Sequence, residues 1–106
     1  MTFDDRKDAF ERKFALDEEQ RFKAMARRNK LLGLWAAGLM GHSGPEADVY
    51  AKSVVASDFQ EAGDDDVMRK VKADLDAAGL SRPDAELRRT MDELMARAAM
   101  EIKAGT

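Results

Sequence analysis

An apolar segment from Leu31 to Met40 is the feature that most constrains the fold of this chain. Its residues are apolar around nearly the whole circumference of a helix, which is typical of a helix contacted from several sides in a protein core. Gly33 and Gly38 lower its helix propensity, and a close approach by a neighbouring helix would explain both glycines. The run is far shorter than the roughly 18 residues needed to span a bilayer. The segment therefore predicts a bundle with this helix at its centre.

Glycines and capping signals divide the chain into four predicted helices. Glycine tolerates the left-handed conformation that closes helices, so Gly41, Gly63 and Gly79 mark helix ends. The residues from Ser43 to Glu46 match a capping box, with a proline suited to the first helical turn. Because the loops are short and no strand-like alternation appears, we expect an all-α, antiparallel four-helix bundle. The first helix should run from about Asp17 to Met40 (and could extend back to Phe3), the second from about Pro45 to Ala62, the third from Asp64 to about Gly79, and the fourth from Ser81 onward.

Residues 1–16 have a different pattern and form a predicted N-terminal arm. Phe3, Phe10 and Phe14 fall on one face of a helix, and charged residues cover the rest of it. Chain ends are usually exposed, and large aromatic side chains are typical anchors of a helix that binds in a groove of another protein. The same pattern would suit a first helix whose aromatic residues complete the protein's own core. The pattern alone leaves both interpretations open.

A basic stretch follows the arm in a protein that is acidic overall. Residues 1–30 carry nine Lys and Arg against seven Asp and Glu, although the whole chain has a net charge of −3 and a pI of about 5.2. A nucleic-acid-binding protein normally has a stronger basic bias, so a solvated helix face or a protein contact is the better interpretation. Phosphate contact by a nucleic-acid- or nucleotide-binding regulator is the alternative. The residues concerned are Arg21, Lys23, Arg27, Arg28 and Lys30.

No residue pattern indicates catalysis or metal binding. The chain has no cysteine and a single histidine, His42, which is expected to be an ordinary loop residue. The acidic run 64–66 lacks the ligand spacing of a calcium loop, and favourable interaction with a helix dipole explains it. Leu39-Met40 stands where a phosphate loop needs Lys-Ser/Thr. We therefore expect no enzymatic activity, no metal and no cofactor.

Several short segments also stand in a recognisable order and spacing along the chain. They are Phe3–Arg6, Ala9–Glu11 with Lys13–Phe14, Ala26–Ala37, Ala47–Lys52, Asp58–Asp64 and Val67–Val71. In these segments the chain resembles, over essentially its whole length, the zeta subunit of alphaproteobacterial F1FO-ATP synthases, a small inhibitor of ATP hydrolysis by F1. Gly38, a weak helix former within the apolar run, is a departure that bears on local packing.

The resemblance implies a four-helix bundle over residues 17–106 that carries a mobile N-terminal inhibitory arm over residues 1–16. In the family, the arm enters a catalytic α/β interface of F1, meets the central rotor and becomes helical as it docks, which blocks rotation in the hydrolysis direction. The short, well-capped helices favour a chain that is monomeric when free, and the acidic pI of about 5.2 argues against nucleic-acid binding. The absence of cysteine fits the cytoplasm, and we expect the protein to be peripheral to the inner membrane when bound to F1FO. The arm residues expected to contact F1 are Phe3, Asp4, Asp5, Arg6, Phe10, Glu11, Arg12, Lys13 and Phe14.

Overall fold

The computed structural model describes residues 16–58 and 65–105, and within these ranges the chain forms four α-helices and no strand. This confirms the predicted all-α four-helix fold. Arm residues 1–15 lie outside the described residues, as do residues 59–64, which include Gly63, the predicted end of the second helix. The helices are α1 (Glu18–Leu39), α2 (Pro45–Ser57), α3 (Asp65–Ala77) and α4 (Asp84–Lys103).

The main hydrophobic core lies around the C-terminal half of α1. This helix contacts the other three, as the apolar segment predicted. On α3, Val67, Val71 and Leu75 recur every four residues and form one buried stripe. All four helices therefore contribute to a single cluster, whose buried members are Leu32, Ala36, Val54, Val67, Val71, Leu75, Leu87 and Met91.

Two helix ends have the geometry that their glycines predicted. Gly79 has a φ of 75°, and Leu80 N–H donates to the Leu75 carbonyl at 2.8 Å, which is a Schellman closure. The Leu80 side chain packs against the main core. Gly41, with a φ of 84°, closes α1 in the same way. These closures turn the chain sharply and keep the loops short.

The start of α2 differs from the prediction. Gly44, with a φ of 58° and no side chain, is the N-cap, so the capping box expected from Ser43 does not form. Pro45 nevertheless occupies the first turn as expected, where its missing N–H costs nothing. The helix also ends at Ser57 rather than near Ala62, with Asp58 as its C-cap. The local sequence suggested a side-chain cap, but a glycine with a positive φ occupies the N-cap position.

The two glycines of the apolar segment have different environments. A Cβ atom on Gly33 would lie 2.6 Å from the Ala51 Cα, so a close approach of α1 and α2 requires this glycine. A Cβ atom on Gly38 would meet nothing within 4 Å, and Gly38 is exposed. The predicted reason for both glycines is thus right for Gly33 and wrong for Gly38.

No helix in the described ranges is long and apolar enough to cross a membrane.

Candidate functional site

The part of the chain that joins the arm to the bundle is the candidate functional site. The predicted partner-contact residues from Phe3 to Phe14 lie outside the described residues, so their contacts stay a prediction. The structure does describe the segment that follows them, residues 16–22, which we call the arm base. Its geometry determines where the arm leaves the bundle.

A capping box fixes the start of α1 within the arm base. The Asp17 Oδ1 accepts a hydrogen bond from the Gln20 N–H at 2.7 Å, and the Asp17 N–H donates to Gln20 Oε1 at 3.2 Å. Asp17 has an extended backbone, with a φ of −76° and a ψ of 176°. These two bonds satisfy otherwise unpaired backbone donors and set the direction in which the chain enters the helix. The spacing of Asp17 and Gln20 is a sequence signal that our reading of the chain missed.

Leu16, the last residue of the predicted arm, is packed onto the bundle. Its side chain is 9% exposed and joins a second hydrophobic cluster with Ala24, Ala98 and Ala99. Small alanine side chains let α1 and α4 lie close together here. Partly buried Leu31, Met95 and Ile102 surround this cluster. The chain is therefore anchored to α4 immediately before α1 begins.

The outer surface of the arm base combines an aromatic ring with carboxylates. Phe22 is 67% exposed, and Glu18 and Glu19 are exposed beside it. Together with Asp17 they line an open, shallow groove. The surface offers apolar contact and negative charge, which suit binding to a protein better than chemistry on a bound substrate.

The five basic residues of α1 are divided between two faces of the helix. Arg28 is 3% exposed and lies on the buried side, whereas Lys23 and Lys30 are exposed. Lys23 lies 3.1 Å from Glu19, and Arg27 Nη1 lies 3.4 Å from Glu101 on α4. By helical spacing Arg21 falls on the same side as Arg28, seven residues later. The structure therefore does not bring the five cations together on one exposed surface.

A buried polar network links α1 to the end of α2. Asn29, 1% exposed, accepts a hydrogen bond from Arg28 Nε at 2.8 Å and donates to Asp58 Oδ2 at 3.0 Å. The hydrogen bond to Asp58 orients the Asn29 amide so that its oxygen faces Arg28. Arg28 is charged and buried, and a buried charged side chain needs a hydrogen-bond partner of this kind. Sequence reasoning missed the network. Asn29 nonetheless lies three residues before the core residue Leu32, and a polar side chain there in a helix was a usable signal.

A second polar network joins α2 and α3 at the other end of the bundle. The Tyr50 hydroxyl donates to Asp74 Oδ2 at 2.8 Å, and Lys70 Nζ lies 2.9 Å from the same oxygen. Burial, followed by the hydrogen bond to Asp74 and the negative charge of that carboxylate, raises the pKa of Tyr50. The tyrosine is therefore neutral at ordinary pH and acts as a donor that connects two helices.

Within the described part of the chain, no group of three potential ligand side chains could hold a metal ion. His42 lies in the α1–α2 loop, as predicted, with its Nδ1 3.2 Å from Glu46 Oε2. Both side chains are exposed, His42 in the loop before α2 and Glu46 in the first turn of α2. This geometry favours a local side-chain contact within the loop and the first turn of α2 over a catalytic site.

Comparison with known proteins places these features in a family. A family model described as ATPase inhibitor subunit zeta matches residues 1–101. A chain whose structure was solved in solution by NMR is 52% identical, with 81% of the present chain and 98% of that chain covered and a TM-score of 0.71. No curated protein matches the chain. The family match spans the arm, the arm base and the bundle together.

Proposed function

Because the chain belongs to the family of the ATPase inhibitor subunit zeta, we propose that it inhibits ATP hydrolysis by F1FO-ATP synthase through its N-terminal arm. The arm enters a catalytic α/β interface of F1 and meets the central rotor, which blocks rotation in the hydrolysis direction. The bundle of residues 17–106 acts as the body that carries the arm and has no catalytic role of its own. The observation that carries the proposal is that the family match includes residues 1–15 as well as the helices.

The chemistry of the arm supports this role. Phe3, Phe10 and Phe14 provide large apolar anchors, and the charged residues between them set the register of docking through charge pairs. Each anchor should contribute about 1–3 kcal/mol of binding, measured as the cost of truncation to alanine.

The arm base supports the same role by anchoring the arm. Leu16 is packed on α4, and the Asp17 capping box starts α1 at a defined position. A partner that binds the arm is thus linked to the bundle by a chain whose exit point is fixed. Because α1 also forms the centre of the core, we expect the bundle to stay folded whether or not the arm is bound.

Titration of F1 stripped of endogenous inhibitor tests the proposal. ATP hydrolysis is measured in the steady state with the full chain, with a variant lacking residues 1–14, and with the triple variant Phe3→Ala, Phe10→Ala and Phe14→Ala. We expect inhibition by the full chain and its loss in both variants, because each removes the anchors.

Circular dichroism provides the control, since all three proteins should retain the helix signal of the bundle. The triple variant keeps the length and the charges of the arm, so it separates loss of the aromatic anchors from loss of the segment. Full inhibition by the variant lacking residues 1–14 would contradict the role of the arm. Absence of inhibition by the folded full chain would contradict the function itself.

A further inference from the structure

The exposed aromatic ring of the arm base points to a contact beyond the arm. Phe22 is 67% exposed, whereas the other two aromatic residues within the described ranges, Trp35 and Tyr50, pack against the main core. Ala24, two residues later, is fully buried, and two residues along a helix correspond to a rotation of about 200°. Phe22 therefore points away from the bundle, and α1 offers it no core position.

The position of Phe22 is fixed by the structure around it. The capping box at Asp17 starts α1 one turn earlier, and Leu16 holds that start on α4. Phe22 is consequently presented on a rigid helix, which lowers the entropy lost when such a ring is buried by a partner.

A single exposed apolar residue on a protein surface is ordinary and indicates nothing by itself. Phe22 differs because it follows the last proposed anchor of the arm, Phe14, by only eight residues. Even a fully extended chain of that length spans no more than about 28 Å. A partner that buries Phe14 therefore has surface within reach of Phe22.

On the basis of the proposed function, we propose further that Phe22 is a binding residue of the inhibitor and docks on the ATPase surface beside the cleft that receives the arm. The carboxylates of Glu18 and Glu19 lie around the ring, and Glu19 is paired with Lys23 at 3.1 Å. The complementary surface is an apolar patch with basic groups at its edge. The inhibitory contact thus includes the first turns of α1 as well as the arm.

The variant Phe22→Ala tests this contact in the same titration of F1, with Val49→Ala as the matched control. Val49 is 68% exposed but lies on α2, two residues before the Ala51 that packs on Gly33. Gly33 is about 17 Å from Phe22 along the α1 axis. We expect Phe22→Ala to raise the concentration for half-maximal inhibition about fivefold to thirtyfold, as for a moderate interface anchor. Val49→Ala should change it less than about twofold, and both variants should keep the unfolding midpoint of the parent protein.

A photo-crosslinking phenylalanine analogue gives a direct readout. Placed at position 22 of the full chain, it should form a covalent adduct with F1, and placed at position 49 it should not. Parent-like inhibition by Phe22→Ala, equal weakening by Val49→Ala, or no adduct from position 22 would overturn the inference.

The parent protein and the variant lacking residues 1–14 separate the two possible failures. If the parent inhibits, the shortened variant does not, and Phe22→Ala inhibits like the parent, only this inference fails. If the folded parent does not inhibit at all, the proposed function fails, and the docking role of Phe22 fails with it.

Discussion

The C-terminal half of α1 packs against three helices through large side chains, whereas the N-terminal half packs against α4 largely through alanines. The C-terminal half is surrounded by valine, leucine and methionine residues from α2, α3 and α4. Around the N-terminal half, the buried members of the second hydrophobic cluster are Leu16, Ala24, Ala98 and Ala99. Hydrophobic stabilisation scales with buried apolar area, so most of it belongs to the half that is distant from the arm.

One half of α1 therefore stabilises the fold, and the other half is the one proposed to bind the partner. The half with the large core keeps the bundle folded, and the half next to the arm leaves Phe22 and its neighbouring carboxylates on the surface. A partner can therefore cover the outer face of the arm base without repacking the main core. Two pairs of substitutions and one single substitution test this division and the packing of the half with the large core, ordered from the largest expected effect to the smallest.

Truncation of a leucine in each half should have unequal effects. Leu32→Ala should lower the free energy of unfolding by about 3–5 kcal/mol, because Leu32 is 1% exposed and contacts a core that cannot collapse into the cavity. Leu16→Ala should lower it by about 1–2 kcal/mol, since Leu16 lies at a helix end where neighbours can relax. Urea unfolding followed by circular dichroism measures both. Equal losses of unfolding free energy would show that the two halves of α1 contribute equally to stability, which would contradict the division between them.

Substitution of the two α1 glycines by alanine should change the free energy of unfolding in opposite directions. Gly33→Ala should destabilise the protein by about 1–3 kcal/mol, because the new methyl group would lie 2.6 Å from the Ala51 Cα and force α1 and α2 apart. Gly38→Ala should stabilise it by about 0.5–1 kcal/mol, since the site is open and alanine is the better helix former. Thermal unfolding of the two variants is a matched comparison within one helix. Stabilisation by Gly33→Ala would contradict the close approach of the two helices.

The smallest effect concerns the Tyr50–Asp74–Lys70 network in the distal half. The pKa of Tyr50 is raised in the folded state above the value of about 10 that it has when unfolded, so its contribution is present below that pH and is lost as the pH rises above it. Tyr50→Phe should cost about 1 kcal/mol at neutral pH through the lost hydrogen bond. Between about pH 9 and about pH 11, the free energy of unfolding of the parent should also fall by about 1 kcal/mol more than that of the variant.

Urea unfolding of the parent and of Tyr50→Phe at several pH values measures that difference. Identical pH profiles for parent and variant would show that Tyr50 ionises as freely in the folded protein as in the unfolded one. The Asn29 network, which links α1 to the end of α2, contains no tyrosine. An alkaline loss that Tyr50→Phe removes would therefore identify the distal network as its source.

Helix boundaries were predictable wherever a local signal decides them. Gly41 and Gly79 close helices because glycine adopts a positive φ at little cost, and that preference depends only on the residue and its neighbours in the chain. The apolar segment around Leu32 likewise predicted a central helix, since its pattern leaves no polar face for solvent. The capping box at Ser43 was wrong because two local signals competed, and Gly44 became the cap.

The environment of individual side chains was decided by the tertiary structure. Gly33 and Gly38 look equivalent in the sequence, yet only Gly33 meets α2. Arg28 and Lys30 look like one basic stretch, yet Arg28 is buried while Lys30 is exposed. These differences arise from contacts between helices that are distant in the sequence, and no local pattern encodes which residues will meet. By itself, the sequence determined the four helices and the family, and the packing of the helices decided that Phe22, in the first turns of α1, would be left at the surface.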